Sequence, residues 1–424
     1  MKKIFVSVGL AAGAAGLASA FAQGMEGASP KLWNVTGSLR GFYDDNYNSS
    51  SVKQGSWGFE VRPSVSANVD LKQTDFGAKY TFGLYFYEYR SSKGENPIDY
   101  THQANVWLDH AFDETLKLNI TDTLVIAQDP ELVQGGATTR VSGNNVNNHA
   151  RLSVTKEWTR QFSTATHYGN NLVEYQDSST SPSNPSNAAL LNRIEQNVGT
   201  DFQWLFQPET MGFIGYDYSW VRYTKDQEIS PSQIINGKTV NYYSDSRNTD
   251  THYGYVGVQH KFSPSLSGTL RVGASATDLY NDPVSPSTTL APYADVSATY
   301  TFIPGSFVQA GFTQNQSETA VVAPNSNGHL TQYQESSTFY LDINHRFDSK
   351  ITGSLVSQYI YSSFKDGAYS GQAQNTVNVG ANLDYAINRH FSANTGYNFY
   401  ELFSNVAGQP FSRNVVYLGL TASY

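Results

Sequence analysis

Charged side chains recur at alternate positions in several segments whose remaining residues are typical of β-strands. Glu60 and Arg62 lie two residues apart in one such segment, and Arg40, Lys79 and Arg151 have the same setting in others. Alternate residues of a strand point to one side of a sheet, so these charges share a face. An unpaired charge in a dry core would cost several kcal/mol. The pattern therefore predicts a face that meets water or pairs its charges across a wet interior.

Further charges extend this polar face over most of the chain, among many Ser, Thr, Asn and Gln residues. They are Asp70, Asp109, Arg193, Glu195, Asp201, Arg271, Asp295, Asp342, Arg346 and Asp384. A closed sheet of roughly 16 to 18 strands is wide enough for an aqueous channel. We therefore expect a passage for small hydrophilic solutes, lined by Arg40, Glu60, Arg62, Lys79 and Arg151 among others.

The segments that carry these charges have the length and alternation of membrane strands. In 57–71 the odd positions are aromatic or aliphatic apart from Pro63, and the even positions are glycine, polar or charged. A tilted membrane strand needs about 9 to 11 residues, whereas strands in soluble proteins most often have about five or six. The apolar face is therefore predicted to contact outer-membrane lipid.

Short turns alternate with longer polar connections along the chain. Short turns are predicted near 72–74, 113–115, 159–161, 207–210, 263–265, 303–305, 348–350 and 388–390, and longer connections near 48–55, 90–100, 128–147, 176–189, 224–248, 280–288, 316–332, 362–370 and 404–412. This layout predicts an all-β, transmembrane, antiparallel up-and-down β-barrel of about 18 strands, with short periplasmic turns and long extracellular loops. Sixteen strands remain the alternative, because the faces of 211–222 and 249–262 are ambiguous.

Bulky residues gather at the strand ends next to the short turns. Those before a turn are Phe112, Trp158, Phe206, Phe262, Phe302, Phe347, Ile387 and Tyr424; those after one are Phe76, Phe162, Phe213, Phe307 and Phe391. Aromatic residues at one height around a barrel form the girdle at the membrane–water boundary. The pattern predicts such a girdle on the periplasmic side.

The last segment, 415–424, alternates apolar and polar residues and ends on an aromatic residue. It resembles the C-terminal assembly signal of bacterial outer-membrane barrels, which the barrel-assembly machinery and periplasmic chaperones would recognise. Tyr417, Gly419, Ala422 and Tyr424 match that signal, although Ala422 is a weak hydrophobe and a final Phe is more typical. This segment should also pair with the first strand, 33–47, to remove the last free edge of the sheet.

The N-terminus predicts export. Lys2 and Lys3 precede an apolar, Ala/Gly-rich stretch at 4–17. Small residues follow, and the triplets 18–20 and 20–22 both suit cleavage, of which we favour cleavage after Ala22. We expect a signal peptide at 1–22, a periplasmic lead at 23–31 and one barrel domain at 32–424. Cleavage would change the formal charge from -9 to -11, which disfavours nucleic acid as a partner. The chain has no cysteine, so neither disulfides nor thiol-ligated metals are expected.

The sequence offers little support for an enzyme or a cofactor site. The nine histidines show no metal-ligand spacing, and the chain has no Gly-x-Ser-x-Gly, phosphate-cradling or dinucleotide-binding motif. Some outer-membrane barrels are hydrolases that use His with Asp or Ser. Here His102 and His110 have the parity of the apolar face, and His149 and His167 have no acidic neighbour in sequence. We predict no catalytic residues and no cofactor.

One loop resembles, loosely, the inward-folded third loop of general porins. The segment 129–136 reads Asp-Pro-Glu-Leu-Val-Gln-Gly-Gly, against a Pro-Glu-aromatic-Gly-Gly pattern in those proteins, so two extra residues separate Glu131 from the glycines. Asp129 and Glu131 facing Arg40 and Arg62 would set a transverse field that admits polar solutes. The alternative is an ordinary surface loop.

The opening hairpin resembles the "putative β-barrel porin" type 2 family of Gram-negative outer-membrane proteins. The resemblance rests on the segments 40–47, Arg-Gly-Phe-Tyr-Asp-Asp-Asn-Tyr, and 57–64, Trp-Gly-Phe-Glu-Val-Arg-Pro-Ser, and extends from there to Tyr424. It implies a barrel in the outer membrane, and it carries no agreed substrate and no catalytic residues.

Three classes of function remain compatible with the sequence. The first is a diffusion porin for small polar solutes. The others are a barrel that serves polysaccharide export or envelope assembly, and a structural or adhesive barrel plugged by its own loops. A homotrimer is compatible with each class, because one chain's apolar stripe does not distinguish lipid from a neighbouring subunit.

Overall fold

Eighteen long strands form one antiparallel sheet that closes on itself. A computed structural model describes residues 32–128, 133–134, 137–138, 144–179 and 181–424; the predicted signal peptide, the lead at 23–31 and the loop residues Asp129 and Glu131 lie outside them. The barrel strands are β1 (Trp33–Asp44), β2 (Ser56–Asp70), β3 (Thr74–Tyr87), β4 (Ile98–Ala111), β5 (Leu116–Ala127), β8 (Asn145–Glu157), β9 (Phe162–Tyr175), β10 (Arg193–Gln207), β11 (Thr210–Tyr223), β14 (Thr249–Lys261), β15 (Leu266–Leu279), β16 (Ser287–Ile303), β17 (Ser306–Glu318), β18 (Thr331–Arg346), β19 (Ile351–Asp366), β20 (Ala373–Ala386), β21 (Phe391–Ser404) and β22 (Phe411–Ser423).

Each barrel strand pairs with its neighbours in the chain, and β22 pairs with β1 to close the ring. In that seam Leu39 lies opposite Leu420, and Tyr43 lies opposite Val416. Closure satisfies the backbone groups that a free edge would expose to lipid. The predicted antiparallel barrel of eighteen strands is confirmed, and sixteen strands are not needed.

The four minor strands and the short helices belong to the loops. Hairpins β6 (Val133–Gln134) with β7 (Ala137–Thr138) and β12 (Glu228–Ile235) with β13 (Lys238–Tyr243) lie between barrel strands. The helices are α1 (Glu88–Ser92), α2 (Asn187–Leu191) and a 3-10 turn (Ser244–Arg247). Over the described ranges, no helix has both the length and the hydropathy to cross a membrane.

Five of the short turns share one construction. Each runs from a bulky residue to an apolar one four positions later, and the residue after the first is Asp113, Thr159, Ser263, Asp348 or Asn388. Its side-chain oxygen accepts hydrogen bonds from the backbone N–H groups two and three residues on, at 2.6–3.2 Å. These bonds satisfy backbone N–H groups inside the turn.

The two aspartates of these turns have pKa values below the ordinary value. The hydroxyl and backbone N–H of Thr115 lower the pKa of Asp113, and the backbone N–H groups of Lys350 and Ile351 lower the pKa of Asp348. A carboxylate that accepts two or three hydrogen bonds favours its charged form.

The outer surface at the short-turn end carries the predicted aromatic girdle. Phe112, Trp158, Phe206, Phe262 and Phe347 all expose more than half of their surface there. His110, His260 and His345, two residues before three of these rings, pack edge-on against them at 4.5–4.6 Å between centroids.

Two girdle predictions are wrong. Phe213 is buried on the inner face with Tyr255 and Tyr293, since the exposed residues of its strand are Ile214 and Tyr216. Phe307 lies opposite Asn344, on the inner parity, while its neighbour Val308 pairs with the outer Ile343. The apolar character of Phe213 and Phe307 does not show which face of the sheet they lie on, because the inner face also carries aromatic rings.

The first strand ends three residues earlier than predicted. Asp44 accepts a hydrogen bond from the backbone N–H of Asn46 at 3.0 Å, which turns the chain out of the sheet. Tyr47 then packs in the loop against Tyr87, at 5.5 Å between ring centroids. Side-chain contacts therefore order the chain where β1 leaves the sheet at the loop end of the barrel.

Candidate functional site

The inner face of the barrel is polar along its length. Arg40, Glu60, Arg62, Lys79 and Arg151 all lie on it, because each alternates with a residue exposed on the outer face. Strand alternation alone therefore places these charges around one lumen.

A cavity of about 200 Å³ opens on the part of this face near the seam. We name its lining the arginine wall: Arg40, Phe42, Asp44, Glu60, Arg62, Tyr85, Tyr87, Asn398, Arg413, Val415 and Tyr417. Glu60 lies 3.6 Å from Arg40 Nη1 and 3.2 Å from Arg62 Nε, so two guanidinium groups share one carboxylate. Three arginines and two carboxylates line this cavity, which leaves an excess of one positive charge.

Arg62 is the most accessible of these cations, with 32% of its side chain exposed. Its Nε faces Glu60, and no described residue accepts a hydrogen bond from its two terminal nitrogens. A guanidinium edge with free N–H groups can bind a carboxylate or phosphate in bidentate fashion.

Aromatic rings form the rest of the arginine wall. Phe42 packs edge-on against Tyr87 at 5.3 Å and lies 6.5 Å from Tyr85. The Arg40 guanidinium lies 4.6 Å from the centre of the Tyr417 ring. Flat apolar faces thus alternate with cations along this side of the lumen, and a cation over a ring is itself attractive.

A second ion pair fixes the arginine wall to the seam. Arg413 on β22 donates from Nε and Nη2 to Asp44 on β1, at 2.9 and 2.6 Å. Next to it, burial raises the pKa of Asp45, but hydrogen bonds from Lys53 and from the backbone and side chain of Asn414 outweigh burial and leave the pKa below its ordinary value. Four of these bonds, two from Arg413 and two from Asn414, cross the β1–β22 junction.

The opposite side of the lumen has the reverse composition. We name it the aspartate wall: Arg151, His167, Asp201, Asp217, Tyr255, Arg271 and Asp295, on β8, β9, β10, β11, β14, β15 and β16 in that order. Arg271 lies 3.6 Å from Asp201 and 3.3 Å from Asp295, and the Tyr255 hydroxyl donates to Asp201 at 2.7 Å. The formal charges of its three carboxylates and two arginines sum to minus one.

The two walls differ in accessibility as well as in charge. Only 7% of the Arg271 side chain is exposed, against 32% for Arg62. In a closed ring of eighteen strands, the strand opposite β1 is β14, so Tyr255 and Arg271 lie across the lumen from Arg40 and Arg62. The most exposed cation of the arginine wall therefore lies across the lumen from a buried cation of the aspartate wall.

In both walls, side chains on two strands contact each other across the strand between them. A glycine on that middle strand leaves the space for each contact. A Cβ on Gly215 of β11 would overlap the Tyr255 ring and Asp201 Oδ1, which bond across that strand. A Cβ on Gly419 of β22 would overlap the stem of Arg40, whose Nε donates to Asn394 of β21 at 3.1 Å. Gly419 thus has a packing role in the lumen besides its place in the predicted assembly signal.

One histidine acquires an acidic neighbour that the sequence did not indicate. His167 Nε2 lies 3.4 Å from Asp217 Oδ1, two strands away, above Gly199. The fold therefore gives His167 an acidic neighbour in space, although it has none in sequence. His149 instead contacts Asn171 through its Nδ1, at 3.0 Å.

The loops at the other end of the barrel pack into a common core, which we name the cap. Ala189, Ile229, Tyr242 and Leu330 form one buried cluster from three different loops. Val173, Tyr175, Ala188 and Leu191 form a second cluster where the cap meets β9. The cap buries apolar surface of its own, so these loops hold each other in place.

Arg247 links the loops of the cap. Its side chain is fully buried, donates to the backbone oxygens of Leu190 and Thr319, and stacks 4.5 Å from the Tyr223 ring. Glu318 lies 3.9 Å away and accepts the Tyr223 hydroxyl proton at 2.7 Å. One guanidinium thus joins three loops to the barrel rim.

The predicted site residues do not form one cluster. Arg40, Glu60 and Arg62 lie together on the arginine wall, whereas Arg151 belongs to the aspartate wall and Lys79 lies on β3, opposite Ser66 and Asn105. Asp129 and Glu131 fall outside the described residues. Of the predicted assembly signal, Tyr417 and Gly419 face the lumen, while Ala422 faces outward and Tyr424 packs 5.8 Å from the Trp33 ring.

Sequence reasoning missed Asp217, Tyr255, Arg413 and the cap arginine Arg247. Asp217 and Tyr255 lie in the two segments with ambiguous faces, where Phe213 and Tyr255 on the inner side obscure the alternation. The signal that could have assigned them is the outward run Ile214, Tyr216, Tyr218 and Trp220. Within the ranges described, no group of three or more His, Cys, Asp or Glu residues could hold a metal ion.

The family described as "Putative beta-barrel porin 2" matches residues 34–424. The chain belongs to this family. It is an outer-membrane porin, and its β-barrel is closed. None of the curated proteins matches the sequence.

Several solved outer-membrane proteins are similar to the chain at low sequence identity. OccAB4 of Acinetobacter baumannii is 12% identical, with 93% of this chain and 99% of that chain covered and a TM-score of 0.42. The outer membrane protein opdK of Pseudomonas aeruginosa is 11% identical, covering 92% and 99%, with a TM-score of 0.44. A BenF-like porin of Pseudomonas fluorescens Pf-5 is 10% identical, covering 92% and 99%, with a TM-score of 0.45.

Proposed function

We propose that the porin conducts small hydrophilic solutes by passive diffusion along the arginine wall. The observation that carries this proposal is the partly exposed Arg62 on a cavity of about 200 Å³. This cavity is smaller than typical ligand pockets, which measure roughly 300–1,000 Å³. A water-filled lumen also suits Arg62, because water can accept hydrogen bonds from the guanidinium N–H groups that no described residue binds.

The two walls set the selectivity of this passage. An excess positive charge at the arginine wall, facing an excess negative charge across the lumen, creates a transverse field that orients dipolar solutes and disfavours apolar ones. Because the cations are the accessible partners, anions pass more readily than cations. Asp129 and Glu131 remain predicted constriction residues that would add negative charge opposite Arg40 and Arg62.

The absence of enzymatic activity is part of this proposal. His167 and Asp217 lie close together, and the hydroxyl of Tyr255 in the same wall donates to Asp201 at 2.7 Å. A hydrolase would need a nucleophile or a water held by its base. We assign this pair to packing of the wall, and we predict no cofactor.

Export and assembly complete the proposal. Residues 1–22 act as a signal peptide cleaved after Ala22, 23–31 lead into the barrel at 32–424, and the barrel-assembly machinery and periplasmic chaperones receive the chain. Tyr417, Gly419, Ala422 and Tyr424 form the assembly signal. Deletion of Ser423 and Tyr424 should sharply reduce the yield of folded barrel, whereas deletion of two residues within 178–187 should not.

Liposome swelling tests the diffusion proposal. Proteoliposomes with the wild-type chain should swell in isotonic solutions of small sugars, with rates that fall as the sugar grows. The matched control is protein that was boiled before reconstitution. If folded and boiled samples give equal swelling, the lumen does not conduct and the plugged structural barrel becomes the better assignment.

The constriction prediction has its own test. Arg62→Ala and Glu131→Gln should each change ion selectivity, because each removes one charge from the proposed field. Unchanged conductance and selectivity in Glu131→Gln alone would remove the loop from the site. Unchanged values in both would remove the constriction.

A further inference from the structure

The wall of the barrel is split between β16 and β17 at its loop end. The two strands pair with each other only as far as Ala294 and Gln314. Beyond that point β16 continues to Ser287 in register with β15, and β17 continues to Glu318 in register with β18. In the part of the chain that the structure describes, neither end has another strand partner. The sheet is therefore closed near the short turns and open toward the loops at this junction.

Pro292 explains where the pairing ends. The backbone N–H of Thr301 donates to the Ser265 carbonyl, on the β15 side, at 2.8 Å. The N–H groups of successive residues point alternately to the two neighbouring strands, so the even-numbered residues of β16 direct theirs toward β17. The register would place Pro292 opposite Gln316, and a proline has no N–H to donate. The pairing therefore stops before the position at which β16 lacks a donor.

Beyond the split, β17 turns from the wall into the lumen. Gln316 has the parity of the outward-facing Phe312. Its side-chain oxygen nevertheless accepts a hydrogen bond at 3.0 Å from the hydroxyl of Thr277, a fully buried residue on the inner face of β15. Glu318, also of outward parity, accepts the Tyr223 hydroxyl proton at 2.7 Å, although four strand spacings separate β17 from β11 in the wall. These two contacts place the end of β17 inside the barrel.

The end of β18 follows the same course, because it stays paired with β17 as far as Tyr333. Each residue from Thr331 to Gln334 exposes 5% or less of its surface. A strand within the wall keeps one face toward lipid, so burial of both faces places this end of β18 inside the barrel as well. In contrast, Leu290 at the loop end of β16 exposes 78% of its surface. The ends of β17 and β18 therefore lie behind β16.

The chain then crosses the mouth of the barrel. We name residues 315–322, which run from the end of β17 into this crossing, the inner edge. Ala320 packs against the buried cluster where the cap meets β9. The next residue, Val321, packs with Phe364 of β19 and with Val406 beyond β21. Because β9 and β19 lie eight strand spacings apart in a ring of eighteen, consecutive residues contact almost opposite sides of the mouth.

Polar residues of the inner face are buried on both sides of the inner edge. Each of the following exposes 7% or less of its surface: Thr251, Ser275 and Thr277 on β14 and β15, and Ser336, Ser362, Gln374 and Thr376 on β18 to β20. Side chains that line an aqueous lumen would be exposed, so protein fills the mouth over these strands. The arginine wall instead borders a cavity of about 200 Å³, where Arg62 keeps 32% of its side chain exposed.

We propose that the inner edge sets the size limit of the porin, because it closes the mouth over β14 to β20 and leaves solutes the passage along the arginine wall. This inference rests on the diffusion function proposed above. Thr277 and Tyr223 hold the inner edge on one side of the mouth and Phe364 holds it on the other, so the obstacle is fixed in place. It consists of strand ends and the loop between them, and it is separate from the constriction predicted at Asp129 and Glu131.

Thiol labelling tests the position of the inner edge without a transport assay. The chain has no cysteine, so Gln316→Cys and Leu290→Cys each introduce a single thiol at a position of outward parity. In the folded protein in detergent, a bulky maleimide should label Leu290→Cys and leave Gln316→Cys unlabelled until the barrel is denatured. Labelling of Gln316→Cys at a rate equal to or above that of Leu290→Cys would overturn the proposal, since β17 would then lie in the wall.

A release variant tests the size limit. Pro292→Thr/Gln316→Thr restores the missing N–H on β16 and removes the acceptor of the Thr277 hydroxyl, so β17 should pair with β16 and leave the mouth. Proteoliposomes with this variant should swell in sugars that are too large for the wild-type chain, and its single-channel conductance should rise. The matched control is Gln314→Thr, on the same strand but paired within the wall, which should keep the wild-type size limit.

The outcomes separate this inference from the diffusion function. Swelling of the wild-type and release-variant liposomes with the same size limit would overturn the inference and leave diffusion intact. Swelling with the release variant alone would support the inner edge as the obstacle and overturn diffusion through the wild-type chain. Absence of swelling with both would overturn both.

A deletion variant decides the question if the double substitution does not form a barrel. Deletion of residues 320–328 removes the segment that crosses the mouth and leaves the paired residues of β17 and β18 in place. The heat-dependent gel shift checks that the barrel has formed. The size limit should rise as in the release variant, and an unchanged limit in the folded deletion variant would overturn the proposal.

Discussion

The two walls of the lumen are built from the same residue types in opposite proportions. The arginine wall has three arginines and two carboxylates around an open cavity, whereas the aspartate wall has two arginines and three carboxylates, packed with little exposed surface. A charge that is paired and buried contributes mainly to the integrity of the wall, whereas an accessible one acts on passing solutes. Similar chemistry therefore serves structure on one side and selectivity on the other.

Loss of Asp201 should have the largest effect, and it should fall on stability. Asp201→Ala leaves the buried Arg271 with one carboxylate in contact and removes the acceptor of the Tyr255 hydroxyl. Breaking a buried pair by removing one partner costs roughly 3–5 kcal/mol. The midpoint of urea unfolding, followed by the heat-dependent gel shift, should fall while ion selectivity changes little. A large change in selectivity at unchanged stability would reverse the roles of the two walls.

Charge reversal on the arginine wall should act on selectivity. Arg62→Glu converts the excess charge of the cavity lining from positive to negative. A unit charge at 4 Å contributes about 1 kcal/mol in water, so the reversal amounts to about 2 kcal/mol, or roughly a tenfold or larger shift in the permeability ratio toward cations.

Reversal potentials in a salt gradient measure this shift. The matched control is Arg222→Glu, whose side chain faces outward and pairs with Asp250 at 2.6 Å. If both variants move the reversal potential equally, the effect is not luminal.

The glycine gap next to Arg40 should give an intermediate effect. In Gly419→Ala the new methyl group would push away the Arg40 side-chain stem and the Leu39 carbonyl. We expect this to lower the free energy of unfolding by roughly 1–2 kcal/mol. Gly41→Ala is the control, since a Cβ there meets nothing within 4 Å. A double variant with Arg40→Ala should recover part of the lost stability, as measured by a double-mutant cycle. No recovery would mean that Gly419 acts in assembly and not in packing.

A change in salt concentration should give the smallest effect. It should distinguish the contribution of the arginine wall from that of the aspartate wall without any mutation. Raising the salt from about 0.1 M to about 1 M shortens the Debye length from about 10 Å to about 3 Å. Selectivity set by the accessible Arg62 should weaken, by a few tenths of a kcal/mol. The urea midpoint, set by the buried aspartate wall, should hardly respond to potassium chloride. Constant selectivity at both concentrations would show that buried charges set it.

The fold could be predicted from the sequence because the barrel imposes a period of two on each strand. Turn positions, strand number and the luminal parity of Arg40, Glu60 and Arg62 follow from that period. Prediction was less accurate where an inner aromatic such as Phe213 resembled a lipid-facing one. The end of β1 was also misplaced, because the turn at Asp44 depends on one side-chain bond.

The walls themselves could not be predicted from the sequence. The contact of Tyr255 with Asp201 spans 54 positions in the chain and needs Gly215 on the strand between them. The register between strands decides which side chains come into contact across the sheet. That register depends on the lengths of the turns, which can be read from the sequence only to within a residue or two. The cap around Arg247 forms from three loops that are far apart in the sequence. No local sequence pattern indicates that these loops contact one another.

Planar-bilayer recording of the purified wild-type protein tests the central claim most directly. A water-filled lumen with its accessible charge on the arginine wall predicts stepwise increases in conductance and a reversal potential that favours anions. Folded barrels that insert without conductance steps, or that conduct with a preference for cations, would contradict it.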